Sequence, residues 1–81
     1  MEENEVYKEV LNKVAKLIVE SNVDASYYKD GGSFSVTLFT GEGDAKESVY
    51  NGYFTKNESD TALRAKCEGL TAMVNFLDKQ L

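Results

Sequence analysis

The chain has 81 residues, 9 basic and 14 acidic, for a formal charge of −5, with 42% apolar and 28% charged side chains, no histidine, no proline and one cysteine. That length suits one domain, far below the roughly 250 residues at which chains divide, and no apolar run approaches the roughly 18 residues of a membrane span. The acidic start Met1-Glu2-Glu3-Asn4-Glu5 is the reverse of a signal peptide's basic region, and one cysteine cannot close an internal disulfide, so a domain of the reducing cytoplasm is expected.

From Val6 to Ile18 the apolar positions Val6, Val10, Leu11, Val14, Leu17 and Ile18 repeat as in a helix with one buried stripe. Its other face mixes Glu5, Lys8, Glu9, Lys13, Lys16 and Glu20, the charge pattern of a solvated surface. Ala25 to Lys29 reads as a first strand, and Asp30-Gly31-Gly32 as a tight hairpin turn, because glycine accepts positive φ without steric cost. Ser33 to Leu38 alternates strictly, which puts Phe34, Val36 and Leu38 on a buried face and Ser33, Ser35 and Thr37 on a wet one. Gly41-Glu42-Gly43-Asp44 punctuates again, and a third strand covers about Lys46 to Thr55. Asn51-Gly52 inside it reads either as a further small hairpin or as a bulge at the glycine; arms of three or four residues are too short to be stable, which favours the bulge.

Lys56-Asn57-Glu58-Ser59-Asp60 supplies capping residues for a second helix running to about Gln80. Leu63, Cys67, Leu70, Val74, Leu77 and Leu81 form a large apolar stripe along it, and Ala62, Ala65, Gly69, Ala72 and Phe76 a second line of mostly small residues. The two lines predict a helix packed on two sides, by the sheet and first helix or by a second subunit.

Little in this composition moves protons. Without histidine, Cys67 lacks the usual base of a thiol nucleophile and reads as a buried structural thiol. Glu42, Asp44 and Glu47 lack the ligand ladder and closing glutamate of a calcium loop, and the paired glycines stand in turns rather than at a strand-to-helix phosphate loop. No enzyme, cofactor or metal is expected. The five tyrosines are the other resource, since tyrosine is frequent in strands and enriched at interface hot spots. Glu42, Asp44 and Glu47 at one end of the third strand, and Glu58 and Asp60 at the other, bracket Tyr50; these six are the candidate partner-binding residues, suited to a basic surface.

The order helix, three antiparallel strands, helix resembles that of double-stranded-RNA-binding domains, which grip phosphate with a lysine-rich start to the second helix. Here the matching stretch is Lys56-Asn57-Glu58-Ser59-Asp60-Thr61, whose carboxylates repel a phosphate backbone. The strand–turn–strand–helix portion is similar to ribonuclease H, but Ala62 stands where that family has a helix carboxylate, which removes the metal pair. Asp60-Thr61-Ala62-Leu63-Arg64-Ala65-Lys66-Cys67 looks like the closing helix of the small phage ABA sandwich domains, matching at Asp60, Thr61, Ala65 and Cys67 and departing at Ala62, Lys66 and Gly69. That resemblance implies a phage or prophage origin and brings no catalytic residues. A sandwich with helices on both faces would bury the Ser33, Ser35, Thr37 side, so both helices are placed on the other one.

The expectation is therefore an α+β fold, a two-layer αβββα domain with a three-stranded antiparallel sheet and both helices on the Phe34, Val36, Leu38 face. Its expected role is that of a non-catalytic phage accessory protein in the host cytoplasm, binding a host protein with a basic surface, with antagonism of a nucleic-acid enzyme or defence system as one form of that role. Neither nucleic acid nor membrane is an expected partner, and a homodimer through Ala65, Gly69, Ala72 and Phe76 is the expected assembly. The alternatives are a relic module of the double-stranded-RNA-binding kind and an oligomer with a small-molecule pocket between subunits.

Overall fold

The computed structural model describes residues 5–81; Met1 to Asn4 of the acidic start lie outside them. Helix α1 (Glu5–Glu20) leads to strands β1 (Asp24–Asp30), β2 (Ser33–Thr40) and β3 (Glu47–Thr55), and helix α2 (Asp60–Gln80) closes the chain. The strands form one antiparallel sheet in the order β1-β2-β3, giving the αβββα architecture of an α+β domain. No helix among the described residues is long and apolar enough to cross a membrane.

Alternation in β2 decides which side of the sheet is covered. Phe34, Val36 and Leu38 are almost completely buried, while Ser33, Ser35 and Thr37 are only half-buried, so both helices lie on the apolar face. From β3 that face receives Phe54, whose ring stacks on Phe34 with centroids 4.6 Å apart, a contact worth about 0.5–1.5 kcal/mol beyond its buried area. Val6, Tyr7, Val10 and Val14 of α1 and Leu63, Cys67, Leu70, Val74 and Leu77 of α2 complete the core. The helices run parallel, as Arg64 lies 3.5 Å from Glu9 near their starts and the Asn22 amide donates to Asp78 near their ends at 3.2 Å.

The first hairpin closes through Gly31-Gly32, with positive φ at Gly31 (+60°) and not at Gly32, the signature of a type II′ turn. The second turns through a single 3-10 turn at Gly43–Ala45, where Gly41 adopts φ +91° and a Cβ would collide with the Ala45 carbonyl oxygen. At the start of α2, Ser59 caps the helix by accepting from the Ala62 amide at 3.1 Å.

Two expectations need correction. The strand passes straight through Asn51-Gly52, with Asn51 opposite Thr37 and Gly52 opposite Val36; the irregularity falls at Val49, because Leu38 pairs with Tyr50 and Phe39 with Ser48. Gly52 serves packing instead, since a Cβ there would stand 3.3 Å from the Phe54 ring and 3.7 Å from that of Tyr50 on the same face. Nor, among the described residues, do the sheet and first helix cover both lines of α2. They share the large stripe as far as Leu77, Leu81 being 75% exposed, while Ala65, Ala72 and Phe76 are exposed, Phe76 at 57%, and Gly69 is exposed beside the Tyr50 hydroxyl.

Candidate functional site

Among the described residues no helix lies on the outer face of the sheet, and the register specifies what it presents. Tyr28 pairs with Ser35 and Ser35 with Tyr53, so these three form one row across all three strands. Directly opposed residues share a face, and two strand spacings set the two tyrosines about 10 Å apart. Both are exposed, Tyr28 at 64% and Tyr53 at 54%. The next row is Ser26, Thr37 and Asn51, tied together where the Asn51 amide donates to the Thr37 hydroxyl at 2.7 Å. Beyond it Asp24, Phe39 and Ser48 end the face, with Lys46 2.6 Å from Asp24 and 5.5 Å above the Phe39 ring. The whole forms an open platform of aromatic rings, hydroxyls, one amide and the Asp24–Lys46 ion pair on a backbone fixed by pairing.

The six candidate residues from the sequence fall into three groups. Glu42 and Asp44 are exposed in the β2–β3 connection at the Asp24 end of the platform, on a turn held by the Ala45 amide donating to the Glu42 carbonyl at 2.9 Å, and Glu47 is exposed at the first position of β3, opposite Thr40. Glu58 and Asp60 lie at the opposite end of β3, and only Asp60 is freely exposed. Glu58 accepts from the Thr55 amide at 3.0 Å and from the Lys66 ammonium, which also donates to the Tyr53 carbonyl at 2.7 Å. It therefore braces the corner between β3 and α2.

Tyr50 does not sit on the open platform between the acids. It shares the helix side with Gly52 and Phe54, half-buried, and a Cβ on Gly69 of α2 would stand 3.4 Å from its hydroxyl. The tyrosines exposed on the outer face are Tyr28 and Tyr53, which sequence reasoning did not single out. For Tyr28 a signal existed: counting back from the turn pairs Asp30 with Ser33 and so Tyr28 with Ser35, already assigned to the wet face.

On the helix side, burial pushes the Tyr7 phenol above its ordinary value, with the neighbouring Tyr27 adding to the effect, and burial also raises Tyr27. A shallow groove of about 580 Å³ runs between the helices over Cys67, rimmed by Lys13, Lys16, Glu20, Glu68 and Asn75. Its opposed charges select neither sign of ligand. Among the described residues no cluster of three or more His, Cys, Asp or Glu is arranged to hold a metal ion. No known family, curated protein or solved structure matches the chain.

Proposed function

We propose that this protein is a non-catalytic binding module that docks its uncovered sheet face on a basic surface of another protein. The observation behind this reading is the cross-strand row Tyr28, Ser35, Tyr53, two exposed aromatic rings on a rigid sheet, with Glu42, Asp44 and Glu47 at one end of the face. Tyrosine supplies a large contact area at low conformational cost, and the carboxylates steer a cationic partner toward it. The partner proposed is a host protein and the role an accessory one, such as restraint of a nucleic-acid enzyme or defence protein, on the resemblance of Asp60 to Cys67 to the closing helix of phage ABA sandwich domains; the helices, both on one face of the sheet, do not share that sandwich arrangement.

The test compares capture from host lysate by the wild-type domain, the double variant Tyr28→Ala/Tyr53→Ala, and the triple variant Glu42→Gln/Asp44→Asn/Glu47→Gln. The aromatic variant should speed dissociation, and the triple variant should slow association and flatten its salt dependence. Undiminished capture by both would refute the reading. Duplex RNA serves as the competing ligand: with Glu58 and Asp60 where a phosphate grip needs lysines, no binding is expected at about 0.15 M salt.

A further inference from the structure

The two edges of the sheet are unlike. The outer edge of β3 is engaged at its C-terminal end: the Lys66 ammonium donates to the Tyr53 carbonyl at 2.7 Å, the Thr55 amide donates to Glu58 at 3.0 Å, and the Glu58 amide donates to the Thr55 carbonyl at 3.3 Å. Among the described residues strand β1 has β2 as its one neighbour, and it keeps unbroken register from Asp24 to Asp30, with none of the bulges or prolines that blunt natural edges. Because a two-residue turn joins Asp30 to Ser33, pairing alternates along β1, and the backbone N–H and C=O groups of Ala25, Tyr27 and Lys29 face outward. The helix side of this strand is also incompletely covered. Tyr27 lies opposite the wholly buried Val36 and 5.9 Å from the Phe34 ring, yet it is 41% exposed.

We propose that the β1 edge accepts an extended basic segment of the partner as an antiparallel fourth strand. The proposal rests on the reading of a basic protein partner and names the part of it that binds. Asp24 and Asp30 lie on the outer face at the two ends of β1; Asp30 has no ion-pair partner among the described residues, and Asp24 is paired with Lys46, so an incoming cation there shares or displaces that contact. A segment with basic residues six apart on one face and apolar residues alternating between them meets both carboxylates and lays its middle apolar side chain over Tyr27. A second copy of this chain fits less well. Two β1 strands paired about Tyr27 set Asp24 of each against Asp30 of the other, two like-charged contacts.

The probe is the capped peptide Lys-Val-Thr-Val-Thr-Val-Lys, whose lysines match the Asp24 to Asp30 spacing, titrated into the isotopically labelled domain. Protection of the Ala25, Tyr27 and Lys29 amides is expected, with binding lost when the three valine nitrogens of the peptide are methylated. Asp30→Lys should weaken the peptide about two- to fivefold, and the peptide with glutamates in place of lysines should bind more weakly than the parent. Responses confined to Thr37, Asn51 and Tyr53, equal binding of the glutamate peptide, or no binding would overturn strand addition. Protection of β1 amides that rises with protein concentration, without peptide, would assign the edge to a second copy and also overturn it. If the peptide fails while partner capture still depends on Tyr28 and Tyr53, the platform reading survives alone; if both fail, neither stands.

Discussion

Tyr53 and Phe54 are consecutive residues of β3 on opposite sides of the sheet, so replacing each in turn measures how one-sided the fold is. Phe54 is completely buried and stacked on Phe34 at an interplanar angle of 5°. Truncation to alanine would cost about 3–5 kcal/mol, a large part of the roughly 4–12 kcal/mol that 81 residues at typical stability per residue provide. Phe54→Leu is the measurable choice. It keeps most of the apolar volume but loses the ring stacking and leaves a partial void, for about 1–2 kcal/mol, or a fall in Tm of roughly 5–15 °C. Tyr53 lends its carbonyl to Lys66 through the backbone, which substitution leaves in place, and its ring is 54% exposed. Tyr53→Thr, which retains β-propensity, should shift stability by no more than about 0.5 kcal/mol. Urea unfolding followed by circular dichroism gives both values, with unchanged slope confirming that only stability moved. Equal losses would mean that the outer face is covered in the folded protein, and the platform would not exist as a free surface.

Gly41 and Gly43 both have positive φ, but a Cβ on Gly43 meets open space whereas one on Gly41 strikes the Ala45 carbonyl. Gly43→Ala should therefore cost about 1–2 kcal/mol and Gly41→Ala distinctly more, as read from urea midpoints. Tyr7 predicts an alkaline limit. Its phenol is held above its ordinary value, chiefly by burial, so its contribution is whole below the unfolded value of about 10 and lost as pH rises from there through the folded value; Tyr7→Phe should flatten that loss in melts from pH 8 to 12. The exposed line Ala65, Gly69, Ala72 and Phe76 predicts self-association. Sedimentation at micromolar concentration should give about twice the chain mass, and Phe76→Glu should restore the monomer with helix content unchanged; a wild-type monomer throughout would refute it.

How far the fold could be read in advance depended on whether a signal was local. The alternation of Phe34, Val36 and Leu38 with Ser33, Ser35 and Thr37 correctly implied a sheet covered on one side, because period two ties sequence directly to face. The Asp30 to Ser33 turn likewise set the β1–β2 register. In β3 local and tertiary signals conflicted. Asn51-Gly52 favours a turn in isolation, but continuous pairing with β2 and the space Gly52 leaves between two rings keep the strand extended. The bulge at Val49 shifts the parity of all residues before it, so counting from the acidic end misplaces Tyr50 relative to the open face. The line of Ala65, Gly69 and Ala72 left two coverings open for another reason: small residues permit close approach, but whether the first helix or a second subunit approaches is not written in the line itself.

The parallel course of the helices has an electrical consequence. Each helix carries roughly half a negative charge at its C-terminus, and here both such ends lie together, joined by the contact between Asn22 and Asp78. The same end of the molecule holds Glu20, Asp24 and, past the Asp24 to Phe39 pair, the turn with Glu42, Asp44 and Glu47. Side-chain and backbone charge add there, whereas at the opposite end the positive helix poles offset Asp60 and Glu9, and Lys66 and Arg64 stand beside them. The domain is thus a molecular dipole as well as an anion. An approaching polycation experiences a torque before contact, turning the acidic turn and the adjoining platform toward it, so the first productive collision is biased in orientation and the bias fades once the Debye length falls below the separation.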